Sequence, residues 1–350
     1  MIQMSKTLFI GDLHVQINNL EDTGEIFNLA DQILEKDSAI SMVCLLGDIF
    51  HTHDVLRQEP AFFVREKIKN LIEKYESRVE WIALAGNHDY STPTAVTTDN
   101  AVRLTLGDIL TVVDNEVLTK GRFAFVPFTG DNEEFLKKAM SPTRSTILVC
   151  HQTFDGSRYE NNQTAPHGVD QNKLTQKLII SGHIHTKQNL KNSYNEVVYV
   201  GTPRALNSNE TNEKKYLTVF DSDTYEFELH STDHLVKQFI AIHLKQGDNT
   251  EETLSKYTWK PKDDVRVHIS GNQEFYDRTL EQNKHLQGKV RFVPDIRKEL
   301  SNVLDIDSGE FTVDEALHKY VHEVVDMSDE LREAVWMKLQ KLMPQLGTNR

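Results

Sequence analysis

Apolar positions along this chain gather into short runs that stop at glycine and then at carboxylate, amide or imidazole side chains. The stretch from Ser41 to His51 sets the pattern: an aliphatic run closes at Gly47 and Asp48, followed by Ile49, Phe50 and His51. Thr7 to Ile10 runs into Gly11, Asp12, Leu13 and His14, and Trp81 to Ala85 runs into Gly86, Asn87, His88 and Asp89. Thr146 to Cys150 ends at His151, and Leu178 to Ile180 ends at Ser181, Gly182, His183, Ile184 and His185. Runs of this length and composition, bounded by glycine, predict buried strands. Loops after the carboxyl ends of strands are where open α/β sheets place their sites. Five strands are thus expected to deliver five polar clusters to one edge.

Between the first two runs, Leu20, Ile26, Phe27, Leu29, Ala30, Ile33 and Leu34 recur at helical spacing within 18–36, and Phe62, Phe63, Ile68, Leu71 and Ile72 do so within 62–75. Each predicts a crossover helix and hence a parallel βαβ unit. Residues 94–106 are expected to be partly helical, with strands at 110–113 and 123–128. From Val197 the texture changes to closely spaced strands, 197–200, 216–220 and 225–229, which suggests a second, more antiparallel sheet packed on the first. The expected fold class is α/β (α+β): a two-layer β-sandwich core flanked by helices, over residues 1–235.

Past a boundary at 230–236, strands at 239–244, 265–269 and 290–293 with helices at 251–257 and 274–286 predict a small α/β module over 236–304. Residues 305–350 hold an acidic linker, Asp305 to Glu310, and a C-terminal helical hairpin. Its first helix opens with a capping box, Thr312 and Glu315. Its second follows Ser328, with Asp329 and Glu330 in the first turn.

The formal net charge of −14 over 350 residues argues against a broad nucleic-acid surface, because phosphate binding rests on Lys and Arg. Bound divalent cations would offset part of it. Cys44 and Cys150 lie inside apolar runs without a CxxC neighbour, which predicts buried thiols in a reducing compartment. No segment reaches the roughly 18 apolar residues that span a bilayer, and the N-terminal run is too short for a signal peptide. A cytoplasmic protein without a membrane partner is expected.

Asp12, His14, Asp48, Asn87, His151, His183 and His185 together offer enough oxygen and nitrogen donors for two divalent ions. Two such ions sit about 3.5–4 Å apart, and a shared ligand holds them there. Asp48, with two oxygens, suits that bridge. Two divalent cations against two carboxylates leave a positive centre fitted to an anionic ester. Imidazole, carboxylate and amide donors without thiolate favour Mn, Fe or Zn over an all-oxygen Mg or Ca cage. His88, between Asn87 and Asp89, is placed to act as a general acid, with Asp89 as its orienting partner. His51 is expected to contact the phosphate, whereas His53 and the remaining histidines lack such context.

The set Asp12-x-His14, Gly47-Asp48, Gly86-Asn87-His88-Asp89, His151 and Gly182-His183-x-His185 resembles the motifs of the calcineurin-like metallophosphoesterases. Within that superfamily, Gly47-Asp48-Ile49-Phe50-His51, His151-Gln152 and Tyr199-Val200-Gly201-Thr202-Pro203 are similar to the SbcD or meiotic-recombination-eleven nucleases and their phage counterparts. The likeness covers about residues 7–220. It implies that Asp12, His14, Asp48 and His185 hold one metal and Asp48, Asn87, His151 and His183 the other, with Mn2+ the first choice. It implies His88 as proton donor and His51 as a phosphate-side helper. The activity it implies is that of a Mn-dependent DNA nuclease of recombination and repair, a 3′ to 5′ exonuclease on duplex ends and an endonuclease on single strands and hairpins. A homodimer is implied, with an SbcC or Rad-fifty type coiled-coil ATPase as partner. By position, the 236–304 module then matches a DNA-capping domain and the hairpin a docking element.

The acidic composition departs from that picture. Lys137, Lys138, Arg144, Lys173, Lys177, Lys187, Lys191, Arg204, Lys214 and Lys215 are scattered candidates for phosphate contacts, without a dense basic run. Two other readings stand beside it. One keeps the chemistry on a phosphoprotein, a small phosphoester or a cyclic nucleotide; the other is a non-catalytic scaffold.

Overall fold

Side chains of the first strand, β1 (Lys6–Ile10), alternate between two cores: Leu8 and Ile10 face one, and Phe9 faces the other. Every central strand repeats this period of two, as pleated strands buried on both faces must. The computed structural model describes residues 5–53, 55–92, 99–141, 145–160, 162–286 and 288–294, together with Val321, 332–333 and 335–338. The expected acidic linker and the helix caps of the hairpin lie outside the described residues. Two units form, Met1–Phe239 and Ile240–Arg350. The first extends a little past the expected 235, and Val236 is buried in its core.

After β1 come α1 (Leu20–Lys36), β2 (Ile40–Leu45), α2 (Gln58–Tyr75), β3 (Glu80–Leu84), α3 (Ala101–Leu106), β4 (Thr111–Val113), β5 (Leu118–Lys120) and β6 (Phe123–Phe125). They are followed by α4 (Asn132–Met140), β7 (Ile147–His151), β8 (Leu178–Gly182), β9 (Gln188–Lys191), β10 (Glu196–Tyr199), β11 (Tyr216–Asp221) and β12 (Glu226–Ser231). Two six-stranded sheets result, ordered β12-β11-β1-β2-β3-β4 and β5-β6-β7-β8-β10-β9. Phe9, Cys44, Leu46, Ile82 and Leu84 from the first meet Phe125, Ile147, Val149, Ile180 and Val198 from the second in a shared core. The outer face of the first sheet packs against α1 through Ile26, Phe27, Ala30, Ile33 and Leu34, and against α2 through Val64, Ile68 and Leu71. Each such side chain contributes roughly 1.5–3 kcal/mol when fully buried. Phe135, Leu136 and Ala139 of α4 cover the other sheet. The two-layer β core flanked by helices is the expected α/β architecture, with both sheets mixed.

Strand membership departs from expectation. The motif-bearing strands do not share one sheet: β1, β2 and β3 lie in the first, β7 and β8 in the second. Strands β11 and β12 do not build the second sheet. They extend the first, with β11 antiparallel to β1 in the register Lys6↔Asp221 to Phe9↔Thr218. Parallel pairing of β1 with β2 leaves the far edge of β1 open, and β11 satisfies those backbone groups. Only β10 joins the second sheet, parallel to β8. The strand β5, the polar edge strand β9 and the helix α4 had no counterpart in the expected elements.

From the boundary onward, β13 (Phe239–Lys245), β14 (Asp264–Ser270) and β15 (Arg291–Pro294) build a three-stranded sheet ordered β13-β14-β15, with α5 (Thr250–Ser255) and α6 (Gln273–Gln282) between them in sequence. Val265, Val267 and Ile269 on one face of β14 meet Ile242, Leu244, Leu254 and Phe275. Among the described residues no helix is long and apolar enough to cross a membrane. Cys44 and Cys150 are free and buried.

Candidate metal centre

The loops leaving β1, β2 and β8 turn back sharply, and three of their functional residues adopt left-handed backbone conformations: His14 at φ 42°, Asp48 at φ 48° and His183 at φ 79°. Non-glycine residues there carry a cost of order 1–3 kcal/mol, which persists where surrounding bonds over-determine the turn. Here they do. The His14 N–H donates to the Asp48 carbonyl at 2.9 Å, the His88 N–H to Asp48 Oδ1 at 2.8 Å, and the His183 N–H to Asp12 Oδ1 at 3.0 Å. Gly47, at φ 96°, could bear no Cβ without approaching His151 Nδ1 to 2.6 Å, and a Cβ at Gly86 would stand 2.3 Å from Asp48 Oδ1. These glycines let backbone and ligand side chains close up.

Asp48 sits at the centre. Its Oδ1 lies 3.4 Å from His151 Nε2 and its Oδ2 lies 3.5 Å from His14 Nε2, so one carboxylate faces two donor sets. On the first side, Asn87 Oδ1 is 3.1 Å from His151 Nε2 and 2.7 Å from His183 Nδ1. His151 Nδ1 donates to the Leu46 carbonyl at 2.7 Å, which leaves Nε2 as the nitrogen for a metal. On the other side, the His14 and His185 rings meet edge to face at 5.1 Å. Asp12 reaches His151 Nδ1 at 3.3 Å.

Asp12, His14, Asp48 and His151 are all essentially inaccessible to solvent. Burial pushes the Asp12 carboxyl up, and the charge of Asp48 adds to the push. Burial also opposes ionisation of Asp48, but His151, His14 and His88 together outweigh it and hold that carboxyl well below the usual range. Asp48 and Asp12 in turn raise His151 to about 9 against the effect of burial. Burial, followed by the His151 charge, lowers His183 to about 3, and burial alone is the main reason His14 falls well below its ordinary value.

The donor set fits divalent cations. His14 Nε2 is buried without a hydrogen-bond partner. Ring nitrogens face one another at 3.3 Å in two places, His183 Nδ1 with His151 Nε2 and His51 Nδ1 with His14 Nδ1. Three clusters, Asp48 with His151 and His183, His14 with His51 and His88, and His185 with Glu160 and Glu210, each bring ligand atoms within 4.8 Å of one another. Buried carboxylates and imidazoles arranged around a shared Asp are consistent with a binuclear metal site.

Several expectations need correction. Asp89 does not orient His88. Its Oδ2 accepts the Gly86 N–H at 2.9 Å and the Ile49 N–H at 3.3 Å, and its Oδ1 accepts the Phe50 N–H at 3.0 Å. His88 Nδ1 instead donates to the His51 carbonyl. His53 is not an ordinary loop residue: its ring stacks on His88 at 4.4 Å. Arg204 and Lys215, expected as phosphate contacts, are each 2% exposed and spent on internal partners. Arg144 lies outside the described residues. Two carboxylates beside His185, Glu160 and Glu210, carry no sequence signal, because neither follows an apolar run. Burial raises Glu210, but its contacts with His185 and Lys215 prevail and bring it down to about 2.

The calcineurin-like phosphoesterase family matches residues 5–187, more than half of the chain. A protein provisionally named phosphoesterase 244L, from Invertebrate iridescent virus 6, is 26% identical over 278 residues, covering 75% of this chain and 92% of its own length. Another, provisionally named phosphoesterase 078R, from Invertebrate iridescent virus 3, is 28% identical over 191 residues, 52% of this chain and 53% of its own. A solved archaeal phosphodiesterase aligns with a TM-score of 0.35 and 14% identity over 65% of this chain and 99% of its own, and GAP50 of Plasmodium with a TM-score of 0.42 and 12% identity over 66% and 85%. With the family match spanning β1 to β8 and every candidate ligand, the chain belongs to the calcineurin-like phosphoesterases, metal-dependent hydrolases of phosphate esters.

Proposed function

We propose that this chain hydrolyses a compact phosphoester, borne on a protein or a small molecule, at a two-metal centre loaded with Mn2+. One observation carries the reading: the two oxygens of Asp48 face two separate donor sets. Divalent ions held there supply Lewis acidity to the phosphoryl group and to the attacking water. The chain's own residues do the rest. His88 Nδ1 is tied to the His51 carbonyl, so Nε2 is the atom that gives a proton to the leaving oxygen. The ring of His51, beside His14, faces the phosphate. Asp89 gathers the N–H groups of Gly86, Ile49 and Phe50 and so keeps the β2 and β3 loops together.

A second reading is a DNA nuclease, a homodimer working with a coiled-coil ATPase, and the separate unit from Ile240 favours it, since a minimal phosphatase needs no such module. Charge favours the first. Of the basic residues that would grip DNA, Arg204 and Lys215 are buried, and Lys138, Lys173, Lys191 and Lys214 pair with Glu134, Glu133, Glu196 and Asp233. The deciding experiment compares p-nitrophenyl phosphate, bis-p-nitrophenyl phosphate and end-labelled duplex DNA with Mn2+. Turnover of an aryl ester without duplex degradation is expected. Efficient degradation of the duplex overturns the compact-ester reading in favour of the nuclease.

A further inference from the structure

Behind His14 and His185 lies a buried polar layer drawn from residues 202–215, beyond the 5–187 span of the family match. Glu210, 1% exposed, places Oε1 3.4 Å from His185 Nδ1. The same oxygen accepts the Leu206 N–H at 3.1 Å, while Oε2 accepts the Thr202 hydroxyl at 3.2 Å and pairs with the Lys215 ammonium. Lys215 also donates to Glu213 Oε2 at 2.9 Å and to the His185 carbonyl at 3.3 Å. The Thr202 N–H donates to that same carbonyl at 3.0 Å. Arg204 donates to the carbonyls of Leu13 and His14, the latter at 2.8 Å, and to the Thr23 hydroxyl at 3.0 Å.

Stability is a poor explanation for this layer. Burying a lysine and a glutamate costs about as much desolvation as their attraction returns, and apolar replacements often do as well. Geometry offers a better one, because Glu210, Lys215 and Thr202 converge on His185 and Arg204 holds the carbonyl of His14. Glu160 Oε1 stands 3.9 Å from His185 Nδ1 and Glu210 Oε1 3.4 Å; that nitrogen is buried and hydrogen-bonded to neither, so Glu210 meets the ring as the nearer charge. His151, on the other donor set, is oriented differently, by the Leu46 carbonyl.

We propose that Glu210, anchored by Lys215, and Arg204 are positioning residues for one metal position, that of His14 and His185. The Glu210 carboxylate, 3.4 Å from His185 Nδ1, draws the ring proton to that side and leaves Nε2 as its metal-binding nitrogen, and Arg204 clamps the loop that presents His14. The two positions of the centre are then unequal, one depending on residues outside the matched family span. The proposal rests on the two-metal reading above.

The test measures Mn2+ content under graded chelator, with electron paramagnetic resonance in parallel, for wild type, Glu210→Gln, Glu210→Ala/Lys215→Met, Arg204→Lys and Glu160→Ala. The double variant removes both charges, so no unpaired ammonium remains buried, and Gln keeps the shape of Glu. Wild type is expected to hold two spin-coupled ions. The Glu210 and Arg204 variants, folded by circular dichroism, are expected to lose one ion at about 10–100-fold lower chelator strength and to show an isolated Mn2+ signal. Glu160→Ala keeps both ions. Folded Glu210 variants that keep both ions, or lose both in parallel, overturn the proposal. Wild type holding fewer than two ions overturns the two-metal reading itself, and the proposal with it.

Discussion

His88 Nδ1 lies 2.7 Å from the carbonyl oxygen of His51. A carbonyl has no proton to give, so the contact fixes the His88 proton on Nδ1 in the neutral ring and assigns transfer to Nε2. The stacked His53 ring at 4.4 Å and the His14 edge at 4.8 Å hold the imidazole plane.

His88→Ala should therefore lower kcat by about 10²–10⁴-fold on an alkyl ester, whose leaving oxygen needs a proton. On a p-nitrophenyl ester the loss should be much smaller. Steady-state kinetics over leaving groups of graded basicity checks this, and equal losses across the series would exclude His88 as the acid.

Asp48→Asn removes the charge that both donor sets share. It should reduce tightly held Mn2+ to one ion or fewer per chain and abolish turnover, while the fold survives. Elemental analysis of the dialysed protein reads the first effect directly.

Asp89→Ala strands the N–H groups of Gly86, Ile49 and Phe50 in a dry interior. A destabilisation of about 1–3 kcal/mol is expected from unsatisfied buried donors, read as a lower urea midpoint at unchanged slope. A variant as stable as wild type would show that the carboxylate does not hold these loops.

Far from the site, Asp37 accepts from Lys6 Nζ at 2.8 Å and from the Ala39 N–H at 2.9 Å. Burial opposes its ionisation, but these two bonds prevail and bring the carboxyl below its ordinary 3.8. With the folded value under the unfolded one, the contribution to stability is full above 3.8 and fades as pH falls through the folded value. Wild type should thus exceed Asp37→Asn in urea midpoint at neutral pH, and the gap should close with acidification. A gap that persists at about pH 2 would contradict this linkage.

The candidate ligands stood out in the sequence because each lies at a strand end, and a strand end is a local signal. Pairing partners were not. Alternation in Tyr216 to Phe220 announces a strand with two buried faces, yet nothing local says whether it will lie beside β1 or beside β8. Asp89 misled by adjacency: the 3-10 turn of Asn87–Asp89 sends neighbouring side chains in different directions. Glu210 comes from a loop with no apolar run before it. Arg204 and Lys215 read as surface cations because charge, taken one residue at a time, carries no mark of burial.

The pairing of β1 with β11 also governs how the molecule can be made. Ser5, just before β1, and Asp221, at the end of β11, are hydrogen-bonded across 216 positions of sequence, so the two strands leave the ribosome far apart in time. Until Tyr216–Asp221 emerges, the strand that presents Asp12 and His14 keeps a bare, aggregation-prone edge. Contacts of such sequence separation slow folding. Assembly of the centre therefore waits for a segment lying beyond its last ligand, and a chain cut after the family-matched span would carry every ligand without the strand that seals the first of them in place.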